Sequence, residues 1–325
     1  MRIGIIGAGH IAEKIAKTLI EAPNGCRVYA VASRSIDKAK GFCRDFNIPV
    51  AYGSYEELVD DSNIDLIYIA TPHSLHFNHA KLALTHNKPC LVEKSFTLNS
   101  LEAAELIRLS HKEHIFIGEA IWTRYLPITY KIKEVLESGI IGSPKLLSAS
   151  LCYNIMHKER VAKPELGGGV LLDLGVYLLN FARIYFGLEI ESIKSNCVKS
   201  NLGVDIQEDI SIRYKNGNLA NLQSSGLCYN NREGIISGSD GFIRVNNVNC
   251  PTRVEVYRGY DLVDIIESPK EMITGYEYQF YECKRCLEEG LIESNYMPHS
   301  EILAIMQIMN NLRDEWGIKN SMVKP

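Results

Sequence analysis

Arg2-Ile3-Gly4-Ile5-Ile6-Gly7-Ala8-Gly9-His10-Ile11-Ala12 is the stretch that decides the fold. Arg2–Ile6 reads as a short apolar strand, and Gly7 to Ala12 fits G-x-G-x-x-G/A. Gly7 permits a tight turn, Gly9 lets backbone approach a pyrophosphate, and Ala12 is small enough for a helix to sit on the strand. Ala12, Ile15, Ala16 and Leu19 then fall at i, i+3, i+4, i+7, with Glu13, Lys14 and Lys17 between them, which predicts an amphipathic helix. Its first turn, with His10 and Ile11, offers backbone N–H groups and a positive dipole end to phosphate. Pro23-Asn24-Gly25 breaks the chain, and Arg27–Ser33 follows as a second strand. The motif alone is weak, and a glycine-rich turn without a ligand would look the same. Strand before, helix after and a second strand at the right distance make it a dinucleotide site.

Working outward, the rhythm persists. Ile64–Ala70, Pro89–Glu93 and Ile115–Gly118 read as apolar strands, alternating with helical segments near Ile36–Phe46, Leu75–His86 and Ser100–His111. Strands separated by helices of this length predict βαβ units and a doubly wound parallel sheet, an α/β Rossmann domain over residues 1–120. The rhythm changes after Trp122. Helices near Ile128–Ser138 and Leu171–Phe186 bracket a strand at Lys145–Tyr153, and mostly strands follow to Tyr260. Ile210–Tyr214 and Leu219–Ser225 flank Lys215-Asn216-Gly217-Asn218, an Asn-Gly hairpin. Residues 121–325 are expected to form an α+β domain with an open, mainly antiparallel sheet and helices on one face. Helical patterns return at Tyr276–Glu289 and Ser300–Trp316, and the last helix suits either domain.

Composition narrows the class. At 325 residues, with 46% hydrophobic and 23% charged positions, the chain is long enough for two cores. Thirty-five Lys+Arg against 39 Asp+Glu leave −4, so no net attraction for nucleic acid or anionic lipid is expected. Nine scattered cysteines, an odd number, predict reduced thiols and a cytoplasmic protein, and no signal peptide is read at Met1–Gly7. The apolar run Val170–Ile190 carries Asp173 and Arg183, which predicts a buried helix rather than a membrane span.

Three constellations carry chemistry. After the second strand, Val31-Ala32-Ser33-Arg34-Ser35 has no acid until Asp37. An acid there would accept from the ribose hydroxyls of NAD, whereas Ser33 and Arg34, with Lys38 assisting, suit a 2′-phosphate. NADP is therefore expected over NAD; a solvated loop arginine is the alternative. Cys90-Leu91-Val92-Glu93-Lys94-Ser95 ends a parallel strand, where ligands bind. Lys94 there is either a group beside the nicotinamide or one half of a surface ion pair with Glu93. In Gly167-Gly168-Gly169 to Gly175-Val176-Tyr177, Asp173 and Tyr177 share a helix face, and the glycines imply something packed against backbone. They read as a substrate-facing acid and phenol, or as a core tyrosine on a helix capped by Asp173. His73, His76 and His79 lack the spacing of a metal site, and Cys283-Lys284-Arg285-Cys286 lacks a second pair, so no metal is expected.

In this order Gly7-x-Gly9-x-x-Ala12, Thr71-Pro72-His73-x-x-His76, Glu93-Lys94 and Gly167–Tyr177 resemble the Gfo/Idh/MocA oxidoreductases over essentially the whole chain. Glu119-Ala120-Ile121-Trp122-Thr123-Arg124-Tyr125-Leu126-Pro127 is similar to the signature of the dimeric dihydrodiol dehydrogenase branch, which includes NADP-dependent D-xylose dehydrogenases; that branch carries tyrosine where most of the superfamily has histidine, as at Tyr177. The resemblance implies Lys94 as catalytic lysine, Tyr177 as general acid/base and Asp173 orienting substrate or Lys94. It further implies Trp122 and Arg124 lining the pocket, and Thr71, His73, His76 and Glu93 beside the cofactor. The implied activity is NADP-dependent hydride transfer to or from a sugar, cyclic polyol or trans-dihydrodiol, in a homodimer formed through the C-terminal sheet. The alternative is a non-catalytic NADP-binding sensor of the same fold. Ser95 stands where the family usually has proline.

Overall fold

A computed structural model of the chain describes residues 1–22 and 24–318; the break expected at Pro23 lies outside the described residues. The chain divides into two compact units, Met1–Trp122 with Ile273–Gln307, and Thr123–Met272 with Ile308–Pro325.

The first unit holds a six-stranded sheet of β1 (Arg2–Ile6), β2 (Arg27–Ala32), β3 (Val50–Tyr52), β4 (Leu66–Ile69), β5 (Cys90–Glu93) and β6 (Ile117–Ala120). Its order is β3-β2-β1-β4-β5-β6, and every pair is parallel. The order reverses direction between β1 and β4, the switch point beyond whose carboxyl ends ligands bind in such sheets. β4 is buried along its whole length, as a strand covered on both faces must be. The helix His10–Glu21 forms because Ala12, Ile15, Ala16 and Leu19 bury one stripe. Burial of each large aliphatic chain there stabilises by about 1.5–3 kcal/mol. β3 and the short helix Tyr55–Asp60 carry too little periodicity to be read from sequence.

The expected second domain, 121–325, is interrupted, because Ile273–Gln307 returns to the first unit. The reason lies in the helix Glu277–Glu288, whose Phe280, Cys283 and Cys286 join the core cluster of β1 and β4. The Phe280 ring meets Tyr68 edge-on at 5.4 Å. Cys283 and Cys286 are thus buried packing thiols; burial pushes Cys286 up to about 12.

The second unit holds an eight-stranded sheet of β7 (Pro144–Cys152), β8 (Ile190–Lys199), β9 (Asp205–Tyr214), β10 (Leu219–Ser225), β11 (Gly234–Gly238), β12 (Gly241–Val245), β13 (Arg253–Arg258) and β14 (Asp261–Glu267), in the order β14-β13-β12-β11-β7-β10-β9-β8. All pairs are antiparallel except β7 with β10, so the sheet is mixed. Along β9, Glu208, Ile210, Ile212 and Tyr214 are buried while Gln207, Asp209, Ser211 and Arg213 are exposed, which leaves one face of the sheet open. The expected helix Leu171–Phe186 begins as a π-turn, Leu171–Gly175, and only then becomes the α-helix Val176–Phe186. The run Pro164–Phe186 is long and apolar enough to cross a membrane, but 83% of its apolar window is buried inside the protein. The final helix, His299–Glu315, is divided between the two units.

Candidate active site

In the first unit the sheet aligns four chain segments at the carboxyl ends of its strands: Gly7–Gly9 after β1, Ser33–Arg34 after β2, Thr71 after β4 and Lys94 after β5. Gly7 has φ +102, and a Cβ there would lie 3.0 Å from the carbonyl oxygen of Ala70, so the turn needs glycine for its own packing. Gly9 caps the helix in an extended conformation without a side-chain bond, and a Cβ there would meet no atom of the described residues within 4 Å. Open space over bare helix N–H groups fits a pyrophosphate. His10 is exposed beside Glu13, at 3.8 Å, and Ile11 packs on the core.

Ser33 is buried and its hydroxyl accepts from the N–H of Ser35 at 3.4 Å. Arg34 and Lys38 are exposed. Arg34 is not a wholly solvated loop residue, because its guanidinium hydrogen-bonds the phenol of Tyr55. The Tyr55 ring stands edge-on to His79 at 4.6 Å, and His79 Nδ1 is 3.0 Å from Thr71 Oγ1. Tyr55 carried no sequence signal beyond following the helix cap Ser54.

The three histidines share the helix His73–Thr85 and are all buried. His73 Nε2 lies 3.1 Å from the carbonyl of Lys94, and His76 Nδ1 lies 2.8 Å from that of Ser95. His76 Nε2 is 2.9 Å from the carbonyl of Thr71. Two strand ends are therefore braced from one helix, around a cis Lys94–Ser95 peptide bond. Burial depresses the imidazole of His76, and burial with the charges of His76 and Arg34 takes His79 down to about 4. The rings of His73 and His76 face backbone carbonyls, and no group of three or more metal-ligating side chains occurs among the described residues.

Glu93 is 8% exposed, so the alternative of a surface ion pair with Lys94 does not describe it. The Tyr68 phenol donates to Glu93 Oε1, and the Lys94 backbone N–H donates to Oε2 at 3.3 Å. Glu119, on the neighbouring β6, accepts from the N–H of Phe96 at 3.0 Å. The backbone on both sides of Lys94 is thus fixed by buried carboxylates while its side chain remains partly accessible. Trp122, also in this unit, stacks on Tyr276 at 4.1 Å with the rings 17° apart.

In the second unit, Asp173 and Tyr177 are buried on the π-turn and the helix that continues it. Asp173 does not cap that helix; its Oδ1 accepts from Arg160 at 2.7 Å. The cap comes from Asp205 on β9, whose Oδ2 accepts from the N–H of Leu171 at 2.5 Å. The glycines of this segment make room for protein: a Cβ at Gly169 would lie 2.2 Å from Asp205 Oδ1, and one at Gly175 2.3 Å from Glu208 Oε1. Arg124 is buried, and its Nε donates to Asn180 at 2.5 Å, three residues beyond Tyr177.

A glycine loop at the switch point of a parallel sheet, and an acid and phenol on a second α+β unit, define a Rossmann-fold oxidoreductase. The family described as oxidoreductases with an NAD-binding Rossmann fold matches residues 1–119, and the Gfo/Idh/MocA C-terminal domain matches 129–244. The chain belongs to the Gfo/Idh/MocA oxidoreductase family. It is 32% identical to the trans-1,2-dihydrobenzene-1,2-diol dehydrogenase of Xenopus tropicalis over 322 residues, covering 97% of this chain and 98% of that one. With the human enzyme of that name it shares 30% over 325 residues, covering 98% and 97%. Its fold is similar to that of KijD10, a 3-ketoreductase from Actinomadura kijaniata solved with NADP and TDP-benzene (TM-score 0.87, 22% identity, 97% of each chain). The aldose-aldose oxidoreductase of Caulobacter crescentus is similar to the same degree (TM-score 0.87, 19% identity, 98% and 97% covered).

Proposed function

We propose that the protein is an NADP-dependent dehydrogenase or reductase for a secondary alcohol or carbonyl of a sugar, cyclic polyol or trans-dihydrodiol. The observation that carries the reading is the open space at Gly9 over bare helix N–H groups, beside an Arg34 held by Tyr55. The pyrophosphate fits the first, and a 2′-phosphate fits the second as a charge-assisted fork. KijD10, a protein of this fold, was solved with NADP, and the dihydrodiol dehydrogenases share a third of the sequence over nearly full length.

The nucleotide, when bound, supplies or takes up the hydride. The remaining work falls to this chain's residues. Tyr177 exchanges the proton of the substrate hydroxyl as general acid/base. An ordinary phenol ionises near ~10, too high for an efficient base at neutral pH. Lys94 is the cation that favours the phenolate. Asp173, fixed by Arg160, orients the substrate, and Trp122 and Arg124 shape its binding. Thr71, His73, His76 and Glu93 stand beside the cofactor, and His73, His76 and Glu93 hold the strand end that carries Lys94. We further propose that the protein is a cytoplasmic homodimer joined through the open face of the second unit's sheet, a reading that the exposed Leu146, Leu219, Val198 and Leu262 support.

The test is a panel of sugars, cyclic polyols and trans-dihydrodiols, followed through the near-ultraviolet absorbance of the reduced nicotinamide, with Lys94→Met as control. Turnover by the wild type and its loss in the variant is the expected result. A wild type that binds NADPH but turns over nothing in the panel is a sensor, and the enzymatic reading is then wrong. Sedimentation of the purified protein reads the dimer.

A further inference from the structure

Two irregularities of backbone meet in the second unit. The first is a bulge in β9. Opposite it, Val198 pairs with Gln207 but Lys199 pairs with Asp205, so Ile206 is skipped. Without that extra residue Asp205 and Glu208, three apart, would point to opposite faces; with it, both are buried on the face that carries Ile210, Ile212 and Tyr214. The second is the π-turn Leu171–Gly175. The two acids press against this turn. Asp205 Oδ2 takes the N–H of Leu171 at 2.5 Å and its carboxylate also takes that of Val170, while Glu208 Oε1 lies against Gly175 and accepts from Ser224 Oγ at 2.5 Å.

Gly175 stands two residues from Asp173 and two from Tyr177. On a helical turn a residue two positions away projects roughly to the opposite side. The acids therefore seat the segment from behind, while Asp173 and Tyr177 project from its other side. Two carboxyls this deeply buried are costly unless something in the fold requires them. Asp205 Oδ1 and Glu208 Oε2 are buried and make no hydrogen bond within the described residues.

We infer that Asp205 and Glu208 are positioning residues that together fix the turn from which Asp173 and Tyr177 project. Burial and the neighbouring Asp205 push the Glu208 carboxyl well above its ordinary range. Burial raises Asp205 as well, but the Leu171 N–H and the charge of Arg313 oppose this and keep it the more acidic of the two. Asp205 caps the helix, and Glu208 packs beside Gly175. The inference rests on the reading of Tyr177 as the acid/base, and deepens it.

The experiment has two readouts, one of which needs no turnover. In protein labelled at the tyrosine ζ carbon, the Tyr177 signal is assigned with Tyr177→Phe and followed in Asp205→Asn, Glu208→Ala and Glu208→Gln. Asp205→Asn and Glu208→Ala are expected to shift or split that signal, whereas Glu208→Gln, which keeps the shape of the side chain, is expected to restore a single signal. Where turnover is measurable, kcat falls by about 10²-fold in the first two variants, as for a catalytic group displaced by about an ångström, while NADPH affinity is retained. Gly175→Ala is expected to do the same and to be rescued in part by Glu208→Ala, which removes the colliding oxygen. An unmoved Tyr177 signal in folded Asp205→Asn and Glu208→Ala proteins, or a kcat equal to wild type in folded Asp205→Asn, overturns the inference. A wild type without turnover whose Tyr177 signal still answers to Asp205 overturns the enzymatic reading and leaves the positioning role standing.

Discussion

Gly7 and Gly9, two residues apart, are glycines for opposite reasons: a Cβ at Gly7 would press on the Ala70 carbonyl at 3.0 Å from a φ of +102, and a Cβ at Gly9 would meet nothing among the described residues within 4 Å. The first serves the fold; the second, on the proposed reading, serves the nucleotide. Gly7→Ala should therefore destabilise the protein by about 1–3 kcal/mol, the cost of a strained backbone, read as a lower thermal midpoint without nucleotide. Gly9→Ala should leave that midpoint within about 0.5 kcal/mol of wild type, as at open sites, and weaken NADP(H) binding instead. Equal effects of the two substitutions on both measurements would contradict the separation.

On the proposed reading Arg34 selects NADP through charge. Hydrogen bonds to charged groups contribute about 1.5–3 kcal/mol, so Arg34→Ala should weaken NADP(H) by roughly ten- to a hundred-fold and NAD(H) hardly at all. Tyr55→Phe removes the phenol that holds the guanidinium and should give a smaller loss of the same selectivity. Titration calorimetry with both nucleotides decides it. A parallel loss of both affinities would assign Arg34 to general electrostatics.

How much of this was legible beforehand differs by element. The Rossmann half was readable because its strands are continuous apolar runs and its first helix has one clean stripe. β3 was not, being three half-buried residues with no pattern to read. The helix Glu277–Glu288 was legible as a helix but not in its place, since Phe280 and Cys283 carry no mark of which core they enter. Among the site residues, Gly7, Gly9, Lys94 and Tyr177 lie in contiguous motifs. Asp205 and Glu208 were invisible, because a bulge sets their direction and strand periodicity alone would separate them. Asp173 illustrates the same limit: position predicted a cap, whereas Arg160 takes its carboxylate and a distant strand supplies the cap.

The buried His79 gives the protein an acid limit. His79 drops to about 4 through burial and the charges of His76 and Arg34, and an unfolded histidine titrates near ~6.5. Between these values the unfolded chain binds the extra proton, so stability rises with pH across that window and is lost on acidification from ~6.5 toward about 4. Thermal midpoints of the wild type should fall from pH 7 to 4.5, by up to about 3 kcal/mol for this residue. His79→Asn should start lower at pH 7, for want of the same packing, and fall less steeply. An identical slope in the two proteins would remove His79 from the acid limit.

Tyr177 and Lys94 are separable by their pH behaviour. If the phenol moves the proton, Tyr177→Phe should lower kcat by about 10²–10⁴-fold, the usual contribution of a general acid/base, and leave NADPH affinity intact. If Lys94 is the cation that favours the phenolate, Lys94→Met should both lower kcat and move the basic group in the kcat/KM profile toward the ordinary phenol near ~10. Lys94→Arg retains charge on a bulkier, differently shaped head, and should recover part of the shift in the profile with less of the rate. The decisive comparison is the profile rather than the rate, since either substitution lowers a rate by disturbing the pocket. A Lys94→Met enzyme that is slow but titrates like wild type would confine Lys94 to binding and leave Tyr177 to find its ionising partner elsewhere.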